Sequence, residues 1–250
     1  CEMAEEAKKQ GKILNIGVCN RYHKSVEMLH DWVSEGKFGK IYHTYCSFRS
    51  FRSIPGLGGA FTTKSQSGGG VLIDWGVHFL DLILYILGGA KLKNLTCDAY
   101  SEMAKDMKSY KYKSMWAEDT KDVNGTYDVD DMVSGFVRTS GPSISFNGAW
   151  AQNIGVGESY IDFIGTKAGI RLNYGGDFTV YTTSCGSLCS FKPKYKDEPH
   201  FQKEIDRFIE CIHTGEKLPS HIDTVAVTAK MMQAMYDSSE LGIKQPRSHH

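Results

Sequence analysis

GGGVLIDWGVHFLDLILYILGG, Gly68 to Gly89, reads as a buried helix bracketed by glycines, except at three positions. Asp74, His78 and Asp81 interrupt a segment otherwise built of Val, Leu, Ile, Trp, Phe and Tyr. On an α-helix, residues i, i+4 and i+7 share a face, so the three form one polar stripe. Such a stripe suits solvent contact or backbone capping, and a single His in an apolar helix is commonly a satisfied structural residue. It suits a functional site equally well, because histidine exchanges protons near neutral pH and a carboxylate one turn away can orient the ring. The three glycines ahead of the helix predict an N-terminus open to a polar ligand. The stretch is slightly short for a membrane span, and two acids and a histidine near its middle would be costly there.

Around this helix, the 250 residues suffice for a sizeable core. The chain is 41% hydrophobic and 23% charged, with 29 basic and 29 acidic side chains. That balance gives no long-range attraction to nucleic acid or anionic lipid, so neither nucleic acid nor membrane is expected as a partner. The N-terminal CEMAEEAKKQGK is charged and lacks an apolar secretory core. The closest of seven cysteines, Cys185 and Cys189, are spaced too widely for a CxxC motif. They read as reduced, mostly buried thiols of a cytoplasmic protein. The tail 247–250, RSHH, reads as a tag remnant and carries no functional weight.

Residues 2–10 read as the end of a helix stopped at Gly11, and Lys12 to Cys19 (KILNIGVC) as a buried strand. After the loop NRYH, Ser25 is expected to cap a helix with Val26, Leu29, Trp32 and Val33 on one face. KIYHTYCSFRSF, from Lys40 on, alternates and is aromatic-rich, as in a long strand of the core or of an interface. A Gly/Ser/Thr-rich loop leads into the opening helix, and KLKNLTCDAY gives another strand. Residues 101–128 are polar, lysine-rich and aperiodic, and read as a surface insertion. Two strands around Ser-Gly-Pro and three more around Thr-Lys-Ala-Gly and Gly-Gly-Asp turns predict an antiparallel meander, followed by two closing helices.

Other chemistries are poorly served. A Zn or Mn site would need a third strong ligand near His78 and Asp74, and His23, His43, His200, His213 and His221 are dispersed. No metal is therefore expected. The chain has no G-x-S-x-G elbow, no Walker motif and no G-x-G-x-x-G after a strand.

SGGGVLIDWGVHFLDL resembles the G-G-G-x-L-x-D-x-G-x-H-x-x-D-L signature of the Gfo/Idh/MocA oxidoreductases. NIGVCNRYH, SEGKFGKIYHTYCSF, DFIGTKAGIRL and the closing segments FIECIHTGEKLP and AMYDSSELGIKQ are similar to further family segments, in the same order. The resemblance implies an α/β (α+β) fold: an open, mostly antiparallel sheet with helices packed on one face, preceded by the last α/β unit of a Rossmann domain. Residues 1–24 would be the Rossmann remnant and 25–246 the substrate and oligomerisation domain. It further implies that His78 is the catalytic acid/base and that Asp74 binds substrate and tunes His78. Asn20 and Arg21 would line the site near the nicotinamide of NAD or NADP, Asp81 would be structural, and a residue of the loop Gln152–Ser159 would meet substrate.

The implied activity is hydride transfer between NAD(P) and a sugar, polyol or related cyclic alcohol. The family's glycine loop and its Glu-Lys-Pro motif lie upstream of the matching region and do not occur here. That reads as a fragment of a longer protein, or as a frame without its nucleotide half, inactive by itself. Two alternatives stand beside it: an NAD-dependent glycosidase of the same fold, and a non-catalytic dimerising module. The implied assembly is a homodimer or homotetramer through the open sheet face.

Overall fold

Alternating side chains dictate a sheet with one dry and one wet face. The computed structural model describes residues 2–113, 121–196 and 198–244, so the tail 247–250 lies outside the described residues. Eight strands form one sheet: β1 Ile41–Arg49, β2 Leu92–Tyr100, β3 Met132–Thr139, β4 Ser143–Ala149, β5 Glu158–Gly165, β6 Ala168–Asn173, β7 Phe178–Ser184 and β8 Ser187–Phe191. Their order is β2-β3-β4-β1-β5-β6-β7-β8. Only the β1–β4 pairing is parallel, with Thr44 opposite Ile144 and Phe48 opposite Gly148. The sheet is therefore mostly antiparallel, as expected. The meander is nevertheless interrupted, because β1 inserts between β4 and β5 at its centre. The short polar β8 was not foreseen; it continues the β7 ladder through Val180–Phe191 and Thr182–Cys189.

One face carries Cys46, Phe48, Val133, Val137, Ile144, Phe146, Ile161, Phe163, Ile170, Leu172, Phe178 and Val180, all buried. Against this face pack α2 (Lys24–Ser34), the signature helix, which follows the short α3 (Lys64–Ser67), and α6 (Ile222–Lys244), which follows α5 (His200–Thr214). The signature helix is apolar nearly all round because it is enclosed: Leu72, Leu80, Ile83 and Ile86 are all buried. Tyr45, Phe136 and Tyr181 stand on the opposite face, each at least 40% exposed.

Several local expectations are corrected. Lys12–Cys19 forms no strand. Its backbone instead joins the approach to α6, through an isolated Asn15–His221 bridge and bonds from Ile16 N to Ser220 O and from Ile222 N to Leu14 O. Among the described residues no neighbouring strand completes a ladder with it. Ser25 does not cap α2: the cap position is His23, and Ser25 sits buried in the first turn with its hydroxyl unpartnered among the described residues. Of the expected surface insertion 101–128, residues 114–120 lie outside the described residues, and the flanking parts are anchored: Ala104 and Tyr110 are buried and Thr126 bridges to Gly58.

A fully buried ion pair joins the layers. After α1 (Glu2–Lys9), a 3-10 turn at Cys19–Tyr22 carries Arg21. Arg21 Nε and Nη2 donate to the two carboxylate oxygens of Asp81 at 2.7 and 2.6 Å, and both side chains are at most 2% exposed. Arg21 Nη1 donates to Pro219 O and to Thr224 Oγ1, while Thr228 of α6 donates to Asp81 Oδ1 at 3.1 Å. Four of the five guanidinium N–H groups and both carboxylate oxygens are hydrogen-bonded, which is the condition for a buried pair to be tolerated.

Removing one partner leaves an uncompensated buried charge, so Asp81→Leu is expected to cost about 3–5 kcal/mol in urea unfolding. The double variant Arg21→Met/Asp81→Leu should recover most of that loss. A single substitution costing under about 1 kcal/mol, as for a surface pair, would show that the pair does not organise the fold.

Candidate active site

The signature helix is not one regular helix. Leu72–Gly76 forms a π turn, and only Val77–Ile86 (α4) is α-helical. Single π turns recur at functional sites because the extra residue re-aims the side chains on either side. Asp74 lies in the π turn and His78 in the first turn of α4.

The start of this segment is held rather than open. Asp130 accepts from Gly70 N at 2.8 Å and Leu72 N at 2.9 Å through its carboxylate, and from Val71 N through its carbonyl. Tyr236 of α6 donates to the same carboxylate at 2.7 Å. A Cβ on Gly70 would lie 1.9 Å from the Asp130 carbonyl oxygen, and one on Gly69 would lie 2.3 Å from the Tyr236 hydroxyl. The glycines are therefore required for close approach of the cap. This corrects the expectation of a helix N-terminus available to a ligand: a carboxylate of the chain itself already occupies it. The neighbouring Asp131 accepts from Glu102 N and Met103 N, and its carbonyl accepts from Trp150 N at 2.9 Å.

Trp150, fully buried at the end of β4, donates from Nε1 to Asp74 Oδ2 at 2.9 Å. Burial raises the Asp74 carboxyl above its ordinary value, and the indole bond opposes that rise. Burial lowers the His78 imidazole below its ordinary value, with the Asp81 charge acting in the opposite direction. The carboxylate that bears on His78 is thus Asp81, three residues on, whereas Asp74 accepts the Trp150 indole bond. Asp81 is itself held by Arg21 and Thr228, so one carboxylate both joins the scaffold and opposes the fall in the histidine's pKa.

Asp74, Trp75, His78, Phe79, Ser159 and Tyr174 line one cavity of about 390 Å³. Asp74 and His78 are therefore brought together, with two carbon-rich rings between and beside them. Ser159 is the member of the 152–159 segment that reaches this cavity. Asn20 meets its edge, donating from Nδ2 to the Tyr174 hydroxyl at 3.2 Å. Arg21 does not line it: its guanidinium is engaged by Asp81, Pro219 and Thr224 and lies 4.8 Å over the Tyr85 ring. The adjacent residues of one turn thus serve different ends, Asn20 the cavity and Arg21 the scaffold.

Sequence reasoning missed Trp150 and Tyr174. Neither sits near the signature in sequence, and only the sheet brings the ends of β4 and β6 to it. Trp75 and Phe79 carried a usable signal, since each follows a residue of the polar stripe.

Comparison with known proteins places the chain. A profile of the GFO/IDH/MocA C-terminal domain matches residues 26–171. The chain is 26% identical over 246 residues to D-glucoside 3-dehydrogenase of Escherichia coli (strain K12), covering 97% of this chain and 67% of that protein. Its fold is similar to aldose-aldose oxidoreductase from Caulobacter crescentus, crystallised with glycerol, at a TM-score of 0.75 and 18% identity. That alignment covers 96% of this chain and 65% of the other. It is also similar to a levoglucosan dehydrogenase in complex with NADH and levoglucosan, at a TM-score of 0.75 and 16% identity, over 96% and 67% of the two chains. The chain thus spans about two-thirds of the length of these proteins. It belongs to the Gfo/Idh/MocA family.

Because its folded pKa lies below the ordinary 6.5, His78 is expected to be neutral at pH 7. Its ring-proton NMR titration should have a midpoint below 6.5. The unfolded chain then binds the proton more readily as pH falls through 6.5, so stability relative to His78→Gln should fall over that window and level off below the folded pKa. A midpoint above 6.5 would contradict the burial of the ring.

Proposed function

We propose that this Gfo/Idh/MocA chain supplies the substrate-binding part of an NAD(P)-dependent oxidoreductase acting on a sugar or a related cyclic alcohol. The observation that carries the reading is a single cavity of about 390 Å³ in which an imidazole, a carboxylate, a hydroxyl and three aromatic rings converge. That mixture of precisely placed polar groups on apolar walls suits a polyhydroxylated ring. The names of the relatives point the same way, toward glucosides and levoglucosan.

In this reading His78 takes the proton of the reacting hydroxyl as the carbinol carbon becomes a carbonyl. A neutral imidazole is the competent form for that step, and burial favours it. Asp74, fixed by the Trp150 indole, accepts a hydrogen bond from a neighbouring hydroxyl and so orients the ring. Ser159 offers a further hydroxyl contact. The chemistry that NAD or NADP supplies when bound is acceptance of hydride from the same carbon. Asn20 suits the nicotinamide end, because its amide is at the cavity edge beside Tyr174. The described residues offer no glycine-rich phosphate loop, and the only triple glycine already carries the Asp130 cap. In our reading this chain meets the cofactor at that end. In this reading residues 1–24, which include α1, the 3-10 turn and Asn20, are the nucleotide-facing part, and 25–246 the substrate domain.

The wet face of the sheet, with Tyr45, Phe136 and Tyr181 exposed, is the surface for a second copy, giving a homodimer or homotetramer whose sedimentation mass checks the assignment. A reduced cytoplasmic setting fits the unpaired thiols of Cys46, Cys97 and Cys211.

In an enzyme containing this chain, with a methyl glucoside and NAD or NADP, His78→Ala should lower kcat by about a hundred- to ten-thousand-fold. Circular dichroism and unfolding should remain those of the parent. A variant that keeps full turnover would remove His78 from the mechanism.

A further inference from the structure

Tyr174 is absent from the signature and lies far from it in sequence, yet it forms the outer wall of the cavity. Its place is set by the β6–β7 turn, where Gly175 and Gly176 have φ of 108° and 109°, a region open to glycine alone. Asn173 N donates to Asp177 O across that turn, and Tyr195 donates to Gly176 O at 2.7 Å. Tyr174 N donates to Ser159 O at 3.0 Å, so two cavity residues are tied through the backbone. The ring is the last of a stacked column. Phe48 lies 4.6 Å from Phe79 at 21°, and Phe79 lies 4.8 Å from Tyr174 at 20°. Phe48 and Phe79 are buried, whereas Tyr174 remains 44% exposed. One face of the ring is thus covered by Phe79, and the other is presented outward.

The hydroxyl is equally constrained. It accepts the Asn20 amide at 3.2 Å, which leaves its own proton available for donation.

Resting on the sugar-oxidoreductase reading above, we propose that Tyr174 is the specificity-determining residue that selects a cyclic pyranoside over an open-chain polyol. The flat C–H face of a sugar ring packs on the free face of Tyr174, and one ring hydroxyl accepts its phenolic proton. An acyclic polyol offers the same hydroxyls but no flat apolar face, and it loses more conformational freedom on binding. Burial raises the phenol above its ordinary value, which keeps it a donor at neutral pH. The Phe79 stack pre-organises the ring, so little side-chain entropy is lost when sugar binds.

The test is a titration of the chain with methyl β-D-glucopyranoside and, separately, D-sorbitol, read from the indole N–H resonance of Trp75 in the same cavity. The parent chain should bind the pyranoside more tightly than sorbitol by about tenfold, a modest preference of the size one stacked ring confers. Tyr174→Phe should weaken both ligands by about three- to tenfold and keep the preference, because the ring remains while a hydrogen bond is lost. Tyr174→Leu should abolish the preference. Preference retained in Tyr174→Leu overturns the assignment while leaving the sugar reading of the cavity intact. If neither ligand moves the Trp75 resonance of the parent chain, the sugar reading itself falls and the assignment falls with it.

Discussion

The buried pair between Arg21 and Asp81 is the interaction on which the arrangement depends. It bonds a 3-10 turn near the N-terminus to the signature helix, and through Pro219, Thr224 and Thr228 to the approach and body of α6. Two charges withdrawn from water are tolerated only when they are well hydrogen-bonded, and here both carboxylate oxygens and four guanidinium N–H groups have partners. Because Arg21 is pinned, Asn20 beside it is carried to the Tyr174 hydroxyl at the cavity edge. Because Asp81 is pinned, the face of α4 that bears His78 cannot rotate. A scaffold contact thereby fixes functional geometry on both sides of itself.

The second constraint acts at the start of the same segment. The Asp130–Asp131 dipeptide precedes β3 and holds three elements: the glycine start of the π turn, the 102–103 backbone and the Trp150 backbone. Trp150 in turn holds Asp74. The carboxylate in the cavity is therefore positioned through a route of covalent and hydrogen bonds that begins at the cap of its own helix. Capped at its start by Asp130 and pinned midway at Asp81, the segment can carry a π turn, with its poorer hydrogen-bond geometry, within a packed core.

Much of this was legible in the sequence. The alternation of β1 and β3–β7, the two closing helices and the stripe of Asp74, His78 and Asp81 follow from side-chain period alone. The stripe indicated a site, and the family resemblance gave its members roles. What was not legible depends on contacts between distant segments. The strand expected at Lys12–Cys19 has the right composition but finds only the edge of the α6 approach. The glycines of 68–70 signal close approach, yet only the fold shows that Asp130, not a ligand, is what approaches. Arg21 and Asn20 look alike as loop residues, and their opposite fates are set by Asp81, sixty residues away. Trp150 and Tyr174 carry no local motif at all, since their roles exist only where strand ends meet the signature helix.

The central proposal is that the signature helix presents His78 and Asp74 together to a sugar. A crystal structure of the protein with NAD and a bound methyl glucoside tests it most directly. The account predicts adjacent sugar hydroxyls within about 3 Å of the His78 imidazole and the Asp74 carboxylate, with Trp150 still bonded to Asp74. A sugar bound elsewhere, with the cavity between Trp75 and Tyr174 filled by other side chains, would contradict it.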